Sequence, residues 1–324
     1  MKLLYTKPVL ADVASKTIES STLGFTSLAV LSTVLLVSIG TGAGLLLVSP
    51  AITASIVTVL LTFLTIRHFF FRRRGRSAMD QAWTAARRGG VPDALQLPST
   101  YFLYVLGSGG HTGELCEMVK QQFRPNPRSH RRYLITSGDQ HSEHAVAQLE
   151  GRIQQAFPSA DDGGIGPAGT WDVFRVVRAR SVHQPLWSTG YTTVLSALSV
   201  VQALVRRSRD RLTVRDAADF NLPHLIVTNG PGTGFVVCLV AHILKLLGLV
   251  PASRCAVLYI ETWAHVSTLS LTGKLFYHSG IADMYVVQHE ALAARTGQRF
   301  VGDVAKHGNL LGIKKTLRTT RQPR

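Results

Sequence analysis

One long uncharged run constrains this chain more than any other feature. No residue from Ser20 to Ile66 carries a formal charge, and most of Phe25 to Ile66 is Leu, Val, Ile, Ala, Ser or Thr. A single membrane-spanning helix needs about 20 apolar residues. Residues 25–71 are therefore predicted to form a transmembrane region of one span, or of two spans with a break at Ser49–Pro50, where proline disfavours a continuous helix.

Basic residues follow the run directly and predict its orientation. Aromatic side chains at Phe69 to Phe71, typical of a membrane interface, lie among them. The basic residues are Arg67, Arg72, Arg73, Arg74 and Arg76. Because positively charged flanks stay on the cytosolic side, everything after this region is predicted to be cytosolic. Residues 1–24 are interpreted as a polar N-terminal segment and residues 72–99 as a basic and polar connector.

The charge balance predicts an anionic partner. The chain has 35 basic and 19 acidic residues, a formal net charge of +16. Such a surplus attracts nucleic acid, phosphate-bearing ligands or a charged lipid surface. Nucleic acid is not expected, since the sequence has no RRM, helix-turn-helix or zinc-finger signature and the arginines beside the apolar run already serve to orient it.

Residues 100–313 alternate between strand-like and helix-like segments. The apolar or aromatic runs are Tyr101–Leu106, Arg132–Thr136, Trp171–Val177, Pro223–Thr228, Cys255–Ile260 and Ala282–Val287. The helix-length segments between them are Gly113–Phe123, Ser142–Phe157, Thr192–Arg207, Gly234–Leu247 and Leu269–His278. This alternation predicts an α/β domain with one doubly wound, Rossmann-like parallel sheet. Ser159–Gly169 is interpreted as an insertion and residues 314–324 as a basic tail.

Two glycine-rich loops follow predicted strands and open predicted helices. Glycines allow a sharp turn and close backbone approach to a ligand, and a helix N-terminus favours negative charge. Both loops fall at strand carboxyl ends, where open α/β sheets bind ligands. They predict a phosphate site built from Gly107, Ser108, Gly109, Gly110 and Thr112 in the first loop and Asn229, Gly230, Gly232, Thr233 and Gly234 in the second.

A nicotinamide-dependent oxidoreductase of the short-chain type is the alternative. Gly107, Gly109 and Gly113 fit a dinucleotide-binding spacing, and Asp139 after the second predicted strand is placed to hold a ribose. However, no tyrosine is followed four positions later by lysine, so the catalytic pair of those enzymes is missing. The alternative is therefore disfavoured, and no cofactor is expected.

Metal and disulfide sites are not expected either. The three cysteines, Cys116, Cys238 and Cys255, include no pair at CxxC spacing, and no HExxH motif is present. Reduced, buried thiols are the interpretation that fits free cysteines best.

Four motifs in a fixed order resemble a known family. They are GSGGHTGEL, SVHQPLWSTGYTT, PHLIVTNGPGTG and VLYIETWAHVSTLSLTGKLFYHSGIADMYVVQH. Together with a membrane segment before the domain, they resemble the membrane-anchor subunit of the UDP-N-acetylglucosamine transferase of asparagine-linked glycosylation. The two loops are also remotely similar to the acceptor-binding half of the bacterial GT-B transferase that makes lipid II.

The resemblance implies half of an enzyme. The domain would be the N-terminal half of a GT-B architecture that binds N-acetylglucosaminyl-diphosphodolichol. A separate soluble, donor-binding glycosyltransferase subunit would be recruited to it at the cytosolic face of the endoplasmic reticulum or contiguous nuclear envelope, in a heterodimer or larger complex. The pair would transfer the second N-acetylglucosamine with inversion, and the chain alone would be inactive. Length agrees, since about 225 residues accommodate one such domain.

Individual residues receive roles from loop position and from the resemblance. His111 is the first candidate for the catalytic base, or a donor to the diphosphate, because histidine titrates near neutrality. Glu261 is the second candidate base. Glu114, Trp263 and His265 are expected to line the same cleft, with Glu114 complementing a helix dipole. Arg178 and Arg180, just past the third predicted strand, are expected either to contact phosphate or lipid headgroups or to form a solvated basic face. The central motif adds three residues without assigned chemistry: His183, Gln184 and Trp187.

Overall fold

Seven strands form one sheet in which every neighbouring pair is parallel. In the computed structural model of the protein, residues 49–88, 99–158, 166–177, 186–205, 221–230 and 232–302 are described. The strands are β1 (Thr100–Val105), β2 (Ser129–Thr136), β3 (Thr170–Val176), β4 (Leu225–Thr228), β5 (Ala256–Ile260), β6 (Met284–Val287) and β7 (Arg299–Phe300). Their spatial order is β3-β2-β1-β4-β5-β6-β7, which confirms the doubly wound prediction.

Helices connect the strands and cover both faces of the sheet. They are α1 (Pro50–Arg88), α2 (Gly110–Gln122), α3 (Gln140–Ala156), α4 (Leu186–Val205), α5 (Gly232–Leu246), α6 (Leu271–Ser279) and α7 (Glu290–Thr296). α2 and α3 pack on one face, through residues such as Leu115 and Ile153. α4, α5 and α6 pack on the other, through residues such as Val200, Val237 and Phe276. Parallel strands covered on both faces are apolar throughout, as β4 is.

Every predicted strand and helix within the described residues is present, with shifted ends. β7 and α7 were not predicted, because a strand of two residues and a helix of seven have too few positions to show a period. β2 begins three residues before its predicted start. Its first residues are polar, and Arg131 is buried in a bidentate pair with Glu150, with both N···O distances at 2.7 Å.

α1 begins at Pro50, where the sequence predicts a break in the apolar run. Pro50–Gln81 is long and apolar enough to cross a membrane by length and composition. The helix continues to Arg88, so the first part of the predicted connector is helical, because Ala, Arg, Met and Gln there favour a helix. Residues 1–48, 89–98, 159–165 and 303–324, which include the first predicted span, most of the insertion and the basic tail, lie outside the described residues.

The second half of α1 is attached to the domain. The Arg67 guanidinium donates to the Lys245 carbonyl at 3.0 Å, and His68 Nδ1 lies 2.9 Å from His242 Nε2. Farther along, Gly75 passes so close to the Asp283 carboxylate that any side chain there would collide with it. Met79 is buried in the apolar cluster on the α2–α3 side of the sheet. The helix that carries the apolar run is therefore fixed to the α/β domain by contacts along more than three turns.

Candidate functional site

The two glycine loops meet at the point where the chain changes from one face of the sheet to the other. β1 and β4 are adjacent, yet α2 after β1 covers one face and α5 after β4 covers the opposite face. The loops after the two strands therefore turn toward opposite faces of the sheet, and the region between these loops is called the crevice below. In open α/β sheets this crevice is the usual place for a ligand.

The first loop has an exposed tip and is held by a buried threonine. Gly109 has φ 64° and ψ −128°, a backbone conformation that L side chains avoid, and it directly precedes α2. Ser108, Gly109 and Gly110 are exposed. Thr112 is fully buried, and its hydroxyl bonds with the Gly107 carbonyl and with Ser142 Oγ, the latter at 2.7 Å. Ser108 to Gly110 can thus face a ligand, while Thr112 holds the turn in place.

Most of the described residues of the second loop are buried and closely packed. Asn229 is fully buried, Gly230 has φ 102°, and Thr233 is 9% exposed. Gly234 lies so close to Thr228 that a side chain there would collide with the Thr228 hydroxyl. The glycine at this position therefore allows α5 to approach β4. Within the described part of this loop, Gly232 is the exposed residue at the start of the helix.

The two loops contact each other through His111. The Asn229 side-chain amide donates to the His111 carbonyl at 3.0 Å. The imidazole lies over Gly230, where an added Cβ would be 3.6 Å from His111 Cε1. His111 Nδ1 is buried and has no hydrogen-bond partner among the described residues. α2 begins at Gly110, so His111 lies in its first turn, at the junction of both loops.

The Glu114 carboxylate joins four chain segments at this edge of the sheet. Its Oε2 accepts from Asn229 Nδ2 at 3.1 Å and from Thr262 Oγ1 at 2.9 Å. Its Oε1 accepts from the Trp263 backbone N–H at 3.0 Å and from Gln288 Nε2. These donors follow β4, β5 and β6, and Glu114 itself lies on α2 after β1. Because α2 begins at Gly110, Glu114 lies beyond the first turn, where the predicted helix-dipole interaction falls off. Its hydrogen bonds instead fix the relative positions of the loops.

Glu261 lies on the side of the sheet that α6 covers. It is fully buried, with Oε2 accepting from Tyr285 O–H at 2.7 Å and Oε1 3.5 Å from the Tyr259 hydroxyl. Gly273 of α6 packs directly on the carboxylate. Burial, and then the Glu261 charge, raise the pKa of both tyrosines, so they stay protonated as donors. This buried environment favours a structural role for Glu261 over its predicted role as a catalytic base.

The loop after β5 forms one rim of the crevice. Trp263 is 42% exposed, and its carbonyl lies 2.7 Å from His289 Nε2, with the two rings 5.2 Å apart. His265 lies in the turn that follows, with Nδ1 3.1 Å from the Thr268 carbonyl. The predicted cleft residues Glu114 and Trp263 are thus in direct contact, while the His265 side chain contacts its own loop.

Sequence reasoning missed two residues of this edge. Gln288, 3% exposed, donates to both Glu114 and the Glu261 carbonyl, and His289 supports Trp263. Their position at the carboxyl end of the sixth predicted strand was the available signal. Four predicted residues lie outside the described residues: Arg178, Arg180, His183 and Gln184. Trp187 belongs to α4, but its side chain is not described.

The predicted ribose contact of a dehydrogenase is not available at Asp139. This residue caps α3: its Oδ1 accepts from the Ser142 N–H at 3.1 Å and its Oδ2 accepts from Ser142 Oγ at 2.7 Å. Asp139 is also only 9% exposed. Within the described residues, no group of three or more His, Cys, Asp or Glu side chains could hold a metal ion.

Comparisons with known proteins agree on one family. A family model described as oligosaccharide biosynthesis protein Alg14 like matches residues 102–304. The human UDP-N-acetylglucosamine transferase subunit ALG14 is 30% identical over 200 residues, which cover 62% of this chain and 80% of the human protein. The subunit of the same name from Cryptococcus neoformans is 33% identical over 187 residues, covering 56% and 71%. That from Schizosaccharomyces pombe is 28% identical over 206 residues, covering 63% and 83%.

One solved structure is similar to the domain. It is the crystal structure of MurG from Acinetobacter baumannii, at a TM-score of 0.35 and 12% sequence identity. The match covers 63% of this chain and 45% of that one.

Replacing Glu114 by Gln should loosen the loops that its carboxylate joins. The amide loses the charge and presents N–H groups to donors, so about 1–3 kcal/mol of hydrogen bonding is lost. We expect the Trp263 amide and the loop after β5 to exchange hydrogen at least about tenfold faster, measured by mass spectrometry. Glu117→Gln is the matched control, because this carboxylate lies one turn later and pairs with exposed Lys120. Equal exchange in both variants would contradict the role given to Glu114.

Proposed function

The chain belongs to the Alg14-like family of oligosaccharide biosynthesis proteins, and on that premise we propose that it is the membrane-anchoring, acceptor-binding subunit of a two-component N-acetylglucosaminyltransferase. Its relatives are named as subunits of a UDP-N-acetylglucosamine transferase. The reaction would transfer N-acetylglucosamine from the UDP sugar to N-acetylglucosaminyl-diphosphodolichol, with inversion, in the second step of lipid-linked oligosaccharide synthesis. The adjacency of two glycine loops at the sheet's switch point is the observation that carries the acceptor role.

A diphosphate fits what the two loops offer. The first-turn N–H groups of an α-helix have no partner within the helix and attract anions. The N-termini of α2 and α5 both lie at the crevice, and the backbone around Gly109 and Gly232 is exposed there. A ligand with two linked phosphates could be bound by both helix ends at once, whereas a single phosphate would need only one.

His111 is the side chain best placed to act on such a ligand. It lies between the two loops, over Gly230, with its Nδ1 not engaged by any described residue. As a base it would remove the proton from the acceptor hydroxyl that attacks the donor sugar. As a donor it would neutralise part of the diphosphate charge. The two roles differ in what they predict for kcat and KM.

The sheet architecture supports a requirement for a partner. The described residues form one parallel sheet, whereas a complete GT-B enzyme has two such domains with the donor held in the second. The soluble donor-binding subunit would therefore approach the carboxyl edge of the sheet, where the loops are.

The long apolar helix supports the anchoring role. Up to Ile66, α1 has the composition of a membrane span, and it continues into the arginine-rich segment. Arginines next to a span predict that the domain on their side is cytosolic. An acceptor with a polyprenyl tail stays in the membrane, so the subunit that binds it must work at the bilayer surface. The expected location is the endoplasmic reticulum membrane, including the contiguous nuclear envelope, with the α/β domain in the cytosol.

The purified chain in lipid vesicles should transfer no sugar, while the chain together with its soluble partner should. The measurement is incorporation of radiolabelled N-acetylglucosamine from the UDP sugar into a diphosphate-linked lipid acceptor. The partner alone serves as the control. Turnover by this chain alone would mean that it also contains the donor site, and the proposal of a divided enzyme would be wrong.

Gly109→Val should lower turnover of the complex by about 100-fold or more, because a side chain there both strains the loop and enters the ligand's approach. Co-purification with the partner should be retained. Gly297→Val is the matched control: Gly297 has φ 67° and open space around it, as Gly109 does, but lies after α7. Similar losses in both variants would mean that backbone strain alone explains the effect.

His111→Gln should lower kcat of the complex by about 10²- to 10⁴-fold if His111 is the base, because Gln cannot accept the proton. The acceptor KM should change little. A higher KM with kcat retained would assign His111 to diphosphate binding instead. His265→Gln, in the neighbouring loop, is the control and should preserve both parameters.

A further inference from the structure

Two neighbouring helices on one outer layer of the domain carry almost no charge. α4 has no Asp, Glu, Lys or Arg in its 20 residues. α5 has one such residue, Lys245, which is buried and lies 3.7 Å from the Asp283 carboxylate. A helix on the surface of a soluble domain normally presents charged or polar residues to water. Among the described side chains of these two helices, no charged residue is exposed, and Gln202 is the exposed polar residue.

Large apolar side chains are exposed on this layer. Val194 and Leu198 of α4 are each 58% exposed, Ile243 of α5 is 43% exposed, and Leu249 just after α5 is 61% exposed. α4 and α5 pack against each other, so these side chains belong to one face, which we call the α4–α5 face. By contrast, α3 in the opposite layer exposes polar residues: His144, Gln148, Arg152 and Gln154. Within the described residues, the sheet-covering helices that expose large apolar side chains all lie on this side of the sheet, α6 included through Leu271 and Leu275.

The path of α1 relates this face to the membrane. Met79 packs in the cluster on the α2–α3 side of the sheet, Gly75 contacts Asp283 just before β6, and Arg67 contacts α5 on the other side. Twelve residues of helix advance about 18 Å, enough to pass from one helix layer to the other. α1 thus passes the amino end of β6 from the α2–α3 side of the sheet to the α4–α5 side, and its apolar part leaves the domain there.

The end of the uncharged run sets the level of the bilayer. The run ends at Ile66, and the next residue, Arg67, donates to the carbonyl of Lys245 at the end of α5. If α1 spans a membrane up to Ile66, the end of α5 lies at the headgroups. Exposed Phe69 and Phe70 beside this junction are residues typical of that zone.

We propose that the α4–α5 face rests on the same bilayer that α1 spans, with Val194, Leu198, Ile243 and Leu249 in the boundary between headgroups and acyl chains. This inference rests on the proposed function, because it requires α1 to be in a membrane. Its consequence is that α5, which begins at the second glycine loop, holds the crevice at the lipid surface. A diphosphate carried by a membrane lipid would then reach the loops without its tail leaving the bilayer.

The test is a fluorophore placed on the face and quenched from the lipid. Full-length chains with Cys116→Ser and one added cysteine, Leu249→Cys or Leu198→Cys, are labelled with NBD and reconstituted into phosphatidylcholine vesicles. Cys238 and Cys255 are fully buried and should not react. Some vesicles contain phosphatidylcholine with a doxyl group near the head of the acyl chain. Quenching of at least about twofold is expected at both positions, since interfacial side chains enter roughly 5–10 Å into this boundary.

Two further labels make the outcomes distinguishable. Gln154→Cys on the opposite layer should not be quenched, whereas Val59→Cys in the apolar part of α1 should be. If the label at Val59 is quenched but the labels at Leu249 and Leu198 are not, the docked face is overturned and the anchor is retained. If Val59 is not quenched, both the anchor and the docked face are overturned.

Discussion

The geometry of the crevice depends on the hydrogen bonds that the Glu114 carboxylate accepts. Four donors from the segments after β4, β5 and β6 converge on it, and hydrogen bonds to a charged acceptor are roughly twice as strong as neutral ones. Loops at the end of a parallel sheet have no backbone ladder to position them against one another. Glu114 supplies most of that connection, together with the hydrogen bond from Asn229 to the His111 carbonyl, and the backbone around Gly109 stays exposed.

In the proposed function, α1 gives the domain a defined relation to the membrane through contacts at the amino edge of the sheet, at the end of α5 and before β6. Contacts from Arg67 to Met79 fix the helix to the domain, so the domain cannot rotate freely about its anchor. An enzyme subunit that binds a soluble acceptor would gain nothing from such a fixed orientation. One that binds a lipid-linked diphosphate gains a crevice held at the level of the headgroups, and the uncharged α4–α5 face is the surface that would lie against them.

The glycine loops divide their residues between ligand approach and construction. Ser108, Gly109, Gly110 and Gly232 are exposed at the crevice, whereas Thr112, Asn229 and Gly234 hold the turns and the close approach of α5 to β4. Sequence spacing predicted all of these as one diphosphate site, because a glycine needed for packing and a glycine needed for ligand approach look alike in a sequence. Burial separates them. The same holds for Glu261, which follows Tyr259 onto the α6 side because side chains alternate along a strand.

The sequence by itself determined the apolar run, the alternation of strands and helices and the position of both loops at strand ends, because these follow from hydrophobic period and from the conformations that glycine permits. Its motifs also carried the family resemblance, which the comparisons confirm. Only the tertiary structure decided that Gln288 and Glu114 meet, that polar Ser129 to Arg131 belong to a buried strand, and that α1 passes the amino end of β6. Each of these depends on contacts between residues far apart in the chain, and local pattern contains no information about which distant donor will face which acceptor.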